Sequence, residues 1–216
     1  MDRLKDLLTI LYRPRETMRA ILDRPDRWSV QVVLLAYFCS CVSDTDIRDT
    51  GRMLSNLKLL PMTAIITLVL IAVAAVWVLI LYLLSWIATP IGRMLGGSGP
   101  VADVRAALAW AMVPVIWSVI YRIPLAVLQR RIQIQPKPNV HDVLLRFVEH
   151  GGCSFLVILL ALEFLFFLWC IFVASCTVAE AQRFSIQKGF VNVVITLALP
   201  VMVIAAAMFS LRGSTG

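Results

Sequence analysis

The sequence predicts an all-α integral membrane protein: five transmembrane helices preceded by an N-terminal amphipathic interfacial helix region. Three observations predict this class: 60% of the 216 residues are hydrophobic, only 15% are charged, and the mean hydropathy is +0.87. Soluble domains average about 45–50% apolar and about 25% charged residues. A soluble fold of this length needs a polar surface that this composition does not supply, and a disordered chain would need low hydrophobicity.

The first element is the amphipathic segment at 1–27, predicted to lie in the headgroup region rather than to span. Its leucines recur at helical spacing between charged residues. Pro14 suits the first turn of a second short helix. Three basic residues around that proline are the candidate contacts with anionic lipid or with a protein partner: Arg13, Arg15 and Arg19.

Five apolar segments follow, with predicted spans at about 28–43, 61–88, 106–128, 153–179 and 189–211 and a C-terminal tail at 212–216. A helix needs about 20 residues to cross a hydrocarbon core of about 30 Å. The first segment is short by this measure, with 16 residues, and the second is the clearest span, with 28 uncharged residues. Each span is predicted to be helical, because lipid leaves no partner for an unpaired backbone group.

The basic residues predict the orientation of these spans. With five crossings, the N-terminal side carries eleven of the 20 lysines and arginines and the opposite side carries nine. We therefore expect a cytoplasmic N-terminus, with the long polar connection at 129–152 on the other side. The net charge of +7 is attributed to topology and to anionic headgroups. No polar domain is present to carry a groove-reading element, so no nucleic-acid partner is expected.

Glu163 is the most conspicuous polar residue, because it interrupts the fourth apolar segment. A carboxylate there costs about 2.5–3.5 kcal/mol on insertion scales, so it is expected to face the bundle and to find a partner. It could serve as a proton- or ion-linked site, or as an interhelical hydrogen bond that sets packing. Arg122 could pair with Glu163 or snorkel to the interface, and the neighbouring Tyr121 favours snorkelling.

The remaining signals predict no catalytic, cofactor-binding or metal site. The five cysteines form no metal-ligand spacing and no disulfide framework. Gly-Gly-Ser-Gly at 96–99 has the spelling of an intramembrane serine protease, but that chemistry needs a histidine base within reach. His141 and His150 fall in the connection predicted on the opposite side, and they would face opposite ways on a helix. The glycines are therefore expected to form a tight turn.

Three stretches carry a resemblance to a known family: Tyr-Arg-Pro-Arg-Glu-Thr-Met-Arg-Ala-Ile at 12–21, the glycine turn at 96–99 leading to Ala-Leu-Ala-Trp-Ala-Met-Val-Pro at 107–114, and Leu-Trp at 168–169 opening the stretch that ends Ala-Glu-Ala-Gln-Arg-Phe-Ser at 179–185. In this order, and with five spans, they resemble the Yip family of Ypt/Rab-interacting membrane proteins in its short bacterial form. The long hydrophilic N-terminal region and the Tyr-Gly-Pro motif of eukaryotic members are lacking, so the resemblance does not extend to Rab binding.

The resemblance implies a multi-pass protein of the bacterial inner (cytoplasmic) membrane, with a cytoplasmic N-terminus, a C-terminus on the opposite side and a non-enzymatic role. The expected function is interaction or membrane organisation. The expected partners are the lipid bilayer, including anionic lipids, and a protein partner or a second copy in a homo-oligomer. The alternative is a small transporter or channel subunit that uses Glu163 as an intramembrane ion or proton site, although clear internal repeats, which transporters usually carry, are lacking.

Overall fold

The computed structural model describes residues 2–43, 62–122 and 152–213, and this part of the chain is helical. The helices in chain order are α1 (Asp2–Tyr12), α2 (Pro14–Leu22), α3 (Ser29–Ser43), α4 (Met62–Met94), α5 (Val101–Trp110), α6 (113–122), α7 (Gly152–Gln182) and α8 (Ile186–Gly213). The predicted connection at 129–152, with both histidines, lies outside the described residues except for its last glycine. So do residues 214–216 of the predicted tail.

Four helical units in the described ranges are long and apolar enough to cross a bilayer: α4, α5 with α6, α7 and α8. The fifth apolar helix, α3, is shorter, as the length of its segment predicts. The predicted all-α membrane class is therefore confirmed. The helices also continue beyond the predicted spans on the N-terminal side: α4 runs to Met94 and α7 to Gln182. Charged residues can lie in these extensions, because a helix pairs its own backbone N–H and C=O groups in polar headgroups as it does in lipid.

The unit formed by α5 and α6 is the centre of the bundle. Half of the residues in its most apolar stretch are buried, against 6% in α4, whose uncovered side chains are mainly large and apolar. Lipid is the expected neighbour of such a surface. The two helices are separated by a turn just before Pro114, where Met112 N–H bonds to Ala109 O at 3.1 Å. Proline has no N–H and clashes with the preceding turn, which accounts for the break.

The N-terminal helices pack into this bundle through their apolar sides. Ile10, Met18 and Ile21 have no exposed surface and share one core with residues of α5 and α7. Two indoles fasten the segment further: Trp110 Nε1 donates to Arg27 O at 2.8 Å, and Trp117 Nε1 donates to Leu7 O at 3.1 Å. The amphipathic pattern of the N-terminal segment therefore reflects packing against the protein; its position at the membrane surface stays a prediction.

Two turns meet at the N-terminal side of the bundle. The predicted glycine turn joins α4 to α5, and Gly96 takes a φ of +90°, which glycine adopts without steric cost. The turn between α7 and α8 contains Arg183 with a φ of +60°. Ser98 N–H donates to Gln182 O at 3.1 Å, so the two turns are bonded to each other.

The contact between α7 and α8 depends on a glycine. A Cβ atom added at Gly189 would stand 2.3 Å from Ser175 O and 2.9 Å from the Ala179 Cβ. Small residues at such a crossing let two membrane helices approach closely, and close packing is a main source of helix association in lipid. Any side chain at this position must push α8 away from α7.

We expect Gly189→Ala to destabilise the bundle by about 1–3 kcal/mol, the usual effect of overpacking. The measurement is the midpoint of thermal unfolding in mild detergent, which should fall by several degrees. Val194→Leu is the control, because it enlarges an α8 side chain that is 41% exposed. Equal midpoints for the wild-type protein and Gly189→Ala would contradict the packing role.

Candidate functional site

One acidic residue near the end of α7 holds two arginines of α2. Arg19 Nε donates to Glu180 Oε1 at 2.7 Å, and Arg15 Nε donates to Glu180 Oε2 at 3.1 Å. The Glu180 side chain is 11% exposed, so each of its oxygens depends on these donors. The hydrogen bond to Glu180 raises the pKa of the Arg19 guanidinium above its usual range. We call this arrangement the Glu180 clasp.

The three predicted lipid or partner contacts are brought together on one short helix and its cap. Arg13 pairs with Glu16 at 3.4 Å, and both side chains are well exposed. The side chain of Arg19 remains 68% exposed even though it reaches Glu180. Arg15 and Arg19 are four residues apart and lie on one side of α2, whereas Arg13 at the cap lies on another side of the helix. We call these three arginines the basic face of α2.

Two further ion pairs fix the segment on either side of this face. Arg24 Nη1 donates to Asp6 Oδ2 at 2.5 Å, which ties α1 to the residues after α2. Arg27 donates to Asp103 in the first turn of α5. Because both carboxylates are largely covered, each needs its arginine to offset desolvation.

The structure pairs Arg122 with Glu163, the two predicted intramembrane residues. Arg122 Nη2 donates to Glu163 Oε2 at 3.0 Å. Of the two predicted alternatives for Arg122, the structure therefore shows the pairing with the carboxylate of a neighbouring helix. Tyr121 packs its ring on Phe166, and the ring centroids are 5.1 Å apart.

This pair lies far from the Glu180 clasp along α7. Eleven apolar or small residues precede Glu163 in the helix, a length of about 16 Å. Glu163 and Glu180 are seventeen residues apart, or about 26 Å along the axis. The intramembrane pair and the basic face are therefore two separate places in the molecule.

Sequence reasoning missed the acidic partners of the N-terminal arginines. Asp103 and Glu180 lie close to the ends of apolar segments, where charged residues are common and have no distinctive spacing. It also missed a buried polar layer: Asn192 donates to Ala88 O at 3.0 Å, and Gln182 is 1% exposed. The only usable signal for this layer was the presence of amide side chains near the ends of apolar helices.

The chemistry open to these residues is recognition of anions. Guanidinium groups present planar pairs of donors that fit phosphate and carboxylate. Within the described ranges, no group of three histidine, cysteine or acidic residues is placed to hold a metal ion. Cys39, Cys41, Cys170 and Cys176 are free thiols.

Residues 8–208 match the model of the Yip1 domain. The chain belongs to the Yip1 family. The match begins within α1 and ends within α8, so it includes the amphipathic segment as well as the spans, and it confirms the resemblance to the Yip family. Comparison with curated proteins and with solved structures gives no match. The protein is thus a multi-pass membrane protein of the Yip1 family.

We expect Glu180→Gln to loosen α2, because an amide oxygen compensates two guanidinium charges poorly. The measurement is hydrogen–deuterium exchange of the α2 amides, which should become several-fold faster. Glu16→Gln is the matched control: it removes the same charge from an exposed i,i+3 pair with Arg13, and such pairs contribute little. Equal protection of α2 in both variants would show that the clasp does not hold the helix.

We expect the destabilisation by Arg122→Gln and the destabilisation by Glu163→Gln to add up to more than the destabilisation measured for the double variant. Each single change leaves one charge without its partner inside the bilayer, whereas the double variant leaves none. The expected coupling is about 1 kcal/mol, because both side chains are partly uncovered. Thermal unfolding midpoints of the four proteins in mild detergent measure it, and strictly additive effects would contradict an energetically meaningful pair.

Proposed function

We propose that this Yip1 family protein is a non-enzymatic protein of a bacterial inner membrane, and that it organises the membrane or engages a partner through the basic face of α2. The observation that carries the proposal is the docking of α2. Its apolar side is buried in the bundle and its arginines are gripped by Glu180. A surface helix fixed in this way presents its charges in a constant position.

The charge balance of the face supports an anionic partner. Two arginines share one carboxylate at the clasp, so one positive charge is left over there. Arg13 is exposed, and its ion-pair partner within the described ranges is the exposed Glu16. A basic residue near an anionic membrane surface contributes about 1 kcal/mol of attraction. Anionic phospholipid headgroups or an acidic surface of a partner protein supply that charge.

The same reasoning supports a cytoplasmic position for this face. The N-terminal side carries eleven of the 20 basic residues, and the positive-inside rule counts basic residues close to the spans. The C-terminus would then lie on the opposite side. The anionic headgroups that line the cytoplasmic leaflet would be directly accessible to α2.

The use of acidic residues supports a non-enzymatic role. Asp6, Asp103, Glu163 and Glu180 each accept a hydrogen bond from an arginine of another segment. These carboxylates hold the architecture together, and a carboxylate paired in this way is a weak general base. The proposed role is therefore binding at the protein surface and not catalysis.

The test is the lipid preference of the protein in bilayer discs that contain phosphatidylglycerol and phosphatidylethanolamine. We expect Arg13→Glu to reduce crosslinking of a headgroup-reactive phosphatidylglycerol to α2 several-fold, and added salt to do the same. Arg13→Lys keeps the charge and should retain most of the crosslinking. Glu180→Gln keeps every arginine but loosens the clasp. Crosslinking of this variant therefore shows whether the fixed position of α2 matters in addition to its charge.

Crosslinking that is unchanged in Arg13→Glu and insensitive to salt would contradict the proposal for lipid. If α2 instead crosslinks to a co-purifying protein, the same variants test that contact. If Arg13→Glu changes neither the lipid crosslink nor the protein crosslink, the proposed contact through α2 is contradicted.

A second candidate function is a small transporter or channel subunit. The observation in its favour is a carboxylate within an apolar helix, with a side chain that is 44% uncovered by protein. Its pairing with Arg122 favours a packing role, because the guanidinium neutralises the site. A flux or proton signal in reconstituted vesicles that Glu163→Gln removes would support transport, and no flux above protein-free vesicles would count against it.

A further inference from the structure

A groove separates α1 from α3 on the N-terminal side of the bundle. Its walls are Leu4 and Leu7 of α1, Val32 and Leu35 of α3, and the indoles of Trp28 and Trp110. Its volume is about 380 Å³. Ligand sites in proteins usually measure about 300–1,000 Å³ and are mainly apolar, so the groove has the size and lining of a binding site for one slender apolar group.

The groove has a closed floor and an open mouth. On the floor side, Trp110 is 1% exposed and Val32 is 3% exposed. At the mouth, Leu4 is 71% exposed and Leu35 is 39% exposed. The mouth continues into the uncovered apolar surface of α3, which includes Phe38. Because α3 is one of the apolar helices of a membrane bundle, the mouth opens toward lipid.

The depth of the groove is that of the leaflet on the N-terminal side, just below the headgroups. Trp28 stands immediately before α3, and tryptophan is enriched where a helix enters the membrane. Val32 and Leu35 occupy the first two turns of α3, within about 10 Å of its start. At this depth the neighbouring molecules are phospholipids, whose acyl chains begin there.

The shape of the groove selects among apolar occupants. A helix from a second copy measures about 10–12 Å across with its side chains and would not enter a groove of this volume. An acyl chain is thin and unbranched. Gln31, the polar member of the lining, lies in the first turn of α3, where its amide can donate to the ester carbonyl that begins an acyl chain.

We propose that the groove between α1 and α3 binds one acyl chain of a phospholipid from the leaflet on the N-terminal side. The site depends on apolar walls and not on the basic face. A protein without headgroup selectivity would contradict the proposed function but not this site. A protein without acyl-chain binding in the groove would contradict this site but not the proposed function.

The test uses the full chain in bilayer discs that contain a trace of phosphatidylcholine with a photoreactive diazirine on one acyl chain. A zwitterionic probe is chosen so that the charge of the basic face does not govern labelling. We expect saturable labelling of the groove-lining peptides, which excess unlabelled phosphatidylcholine displaces. Leu35→Trp should lower this labelling at least fivefold, because the indole fills the mouth.

Leu34→Trp is the matched control, because Leu34 is also 39% exposed on α3 but does not line the groove. It should label as the wild-type protein does, and so should Arg13→Glu. Leu4→Trp repeats the test from the opposite wall at a highly exposed position, which guards against a folding defect in one variant. Labelling that rises linearly with probe and is equal in all variants would overturn the proposal, as would peptide–peptide crosslinks between copies at the groove.

Discussion

The pairing of Glu180 with two arginines is the interaction on which the N-terminal half of the architecture depends. Both oxygens of one largely covered carboxylate are occupied by α2. With α2 held there, Met18 and Ile21 become part of the common core, and α1 is drawn against α6 through Trp117. α1, which forms one wall of the groove beside α3, is held by contacts of its own: Ile10 lies in the common core, Trp117 donates to Leu7 O and Arg24 pairs with Asp6.

Charged residues work under two physical regimes in this molecule. At the N-terminal side, the ion pairs lie where the helices leave the apolar region. Water or lipid headgroups can solvate the charged atoms that the protein does not cover. Between the apolar helices α6 and α7, Arg122 donates to Glu163. The first regime permits an excess of positive charge that faces outward, whereas the second demands local neutrality. This difference explains why recognition is proposed at α2 and packing at the deeper pair.

The class of fold was predictable because composition and long apolar runs report directly on the surrounding solvent. The amphipathic start, the glycine turn and the shortness of α3 were local signals and were found. The clasp was not, because Arg15 and Arg19 are separated from Glu180 by 165 and 161 residues and no local pattern links them. The pairing of Arg122 with Glu163 was one of two alternatives for a related reason: the neighbouring Tyr121 suggested headgroup depth, and only the packing of α6 against α7 shows the carboxylate beside Arg122. The helices α4 and α7 run past the ends of their predicted spans, because a charged residue ends an apolar run without ending a helix.

The long separation between the clasp residues has a consequence for biogenesis. α2 is synthesised before its receptor on α7. At about 5–20 residues per second, the 161 residues between Arg19 and Glu180 take roughly 8–30 s. During that interval the apolar side of α2 lacks the part of its cover that α7 supplies, and a nearby membrane surface can take its place. An amphipathic helix that can rest among headgroups and later move onto the bundle meets both demands with one sequence.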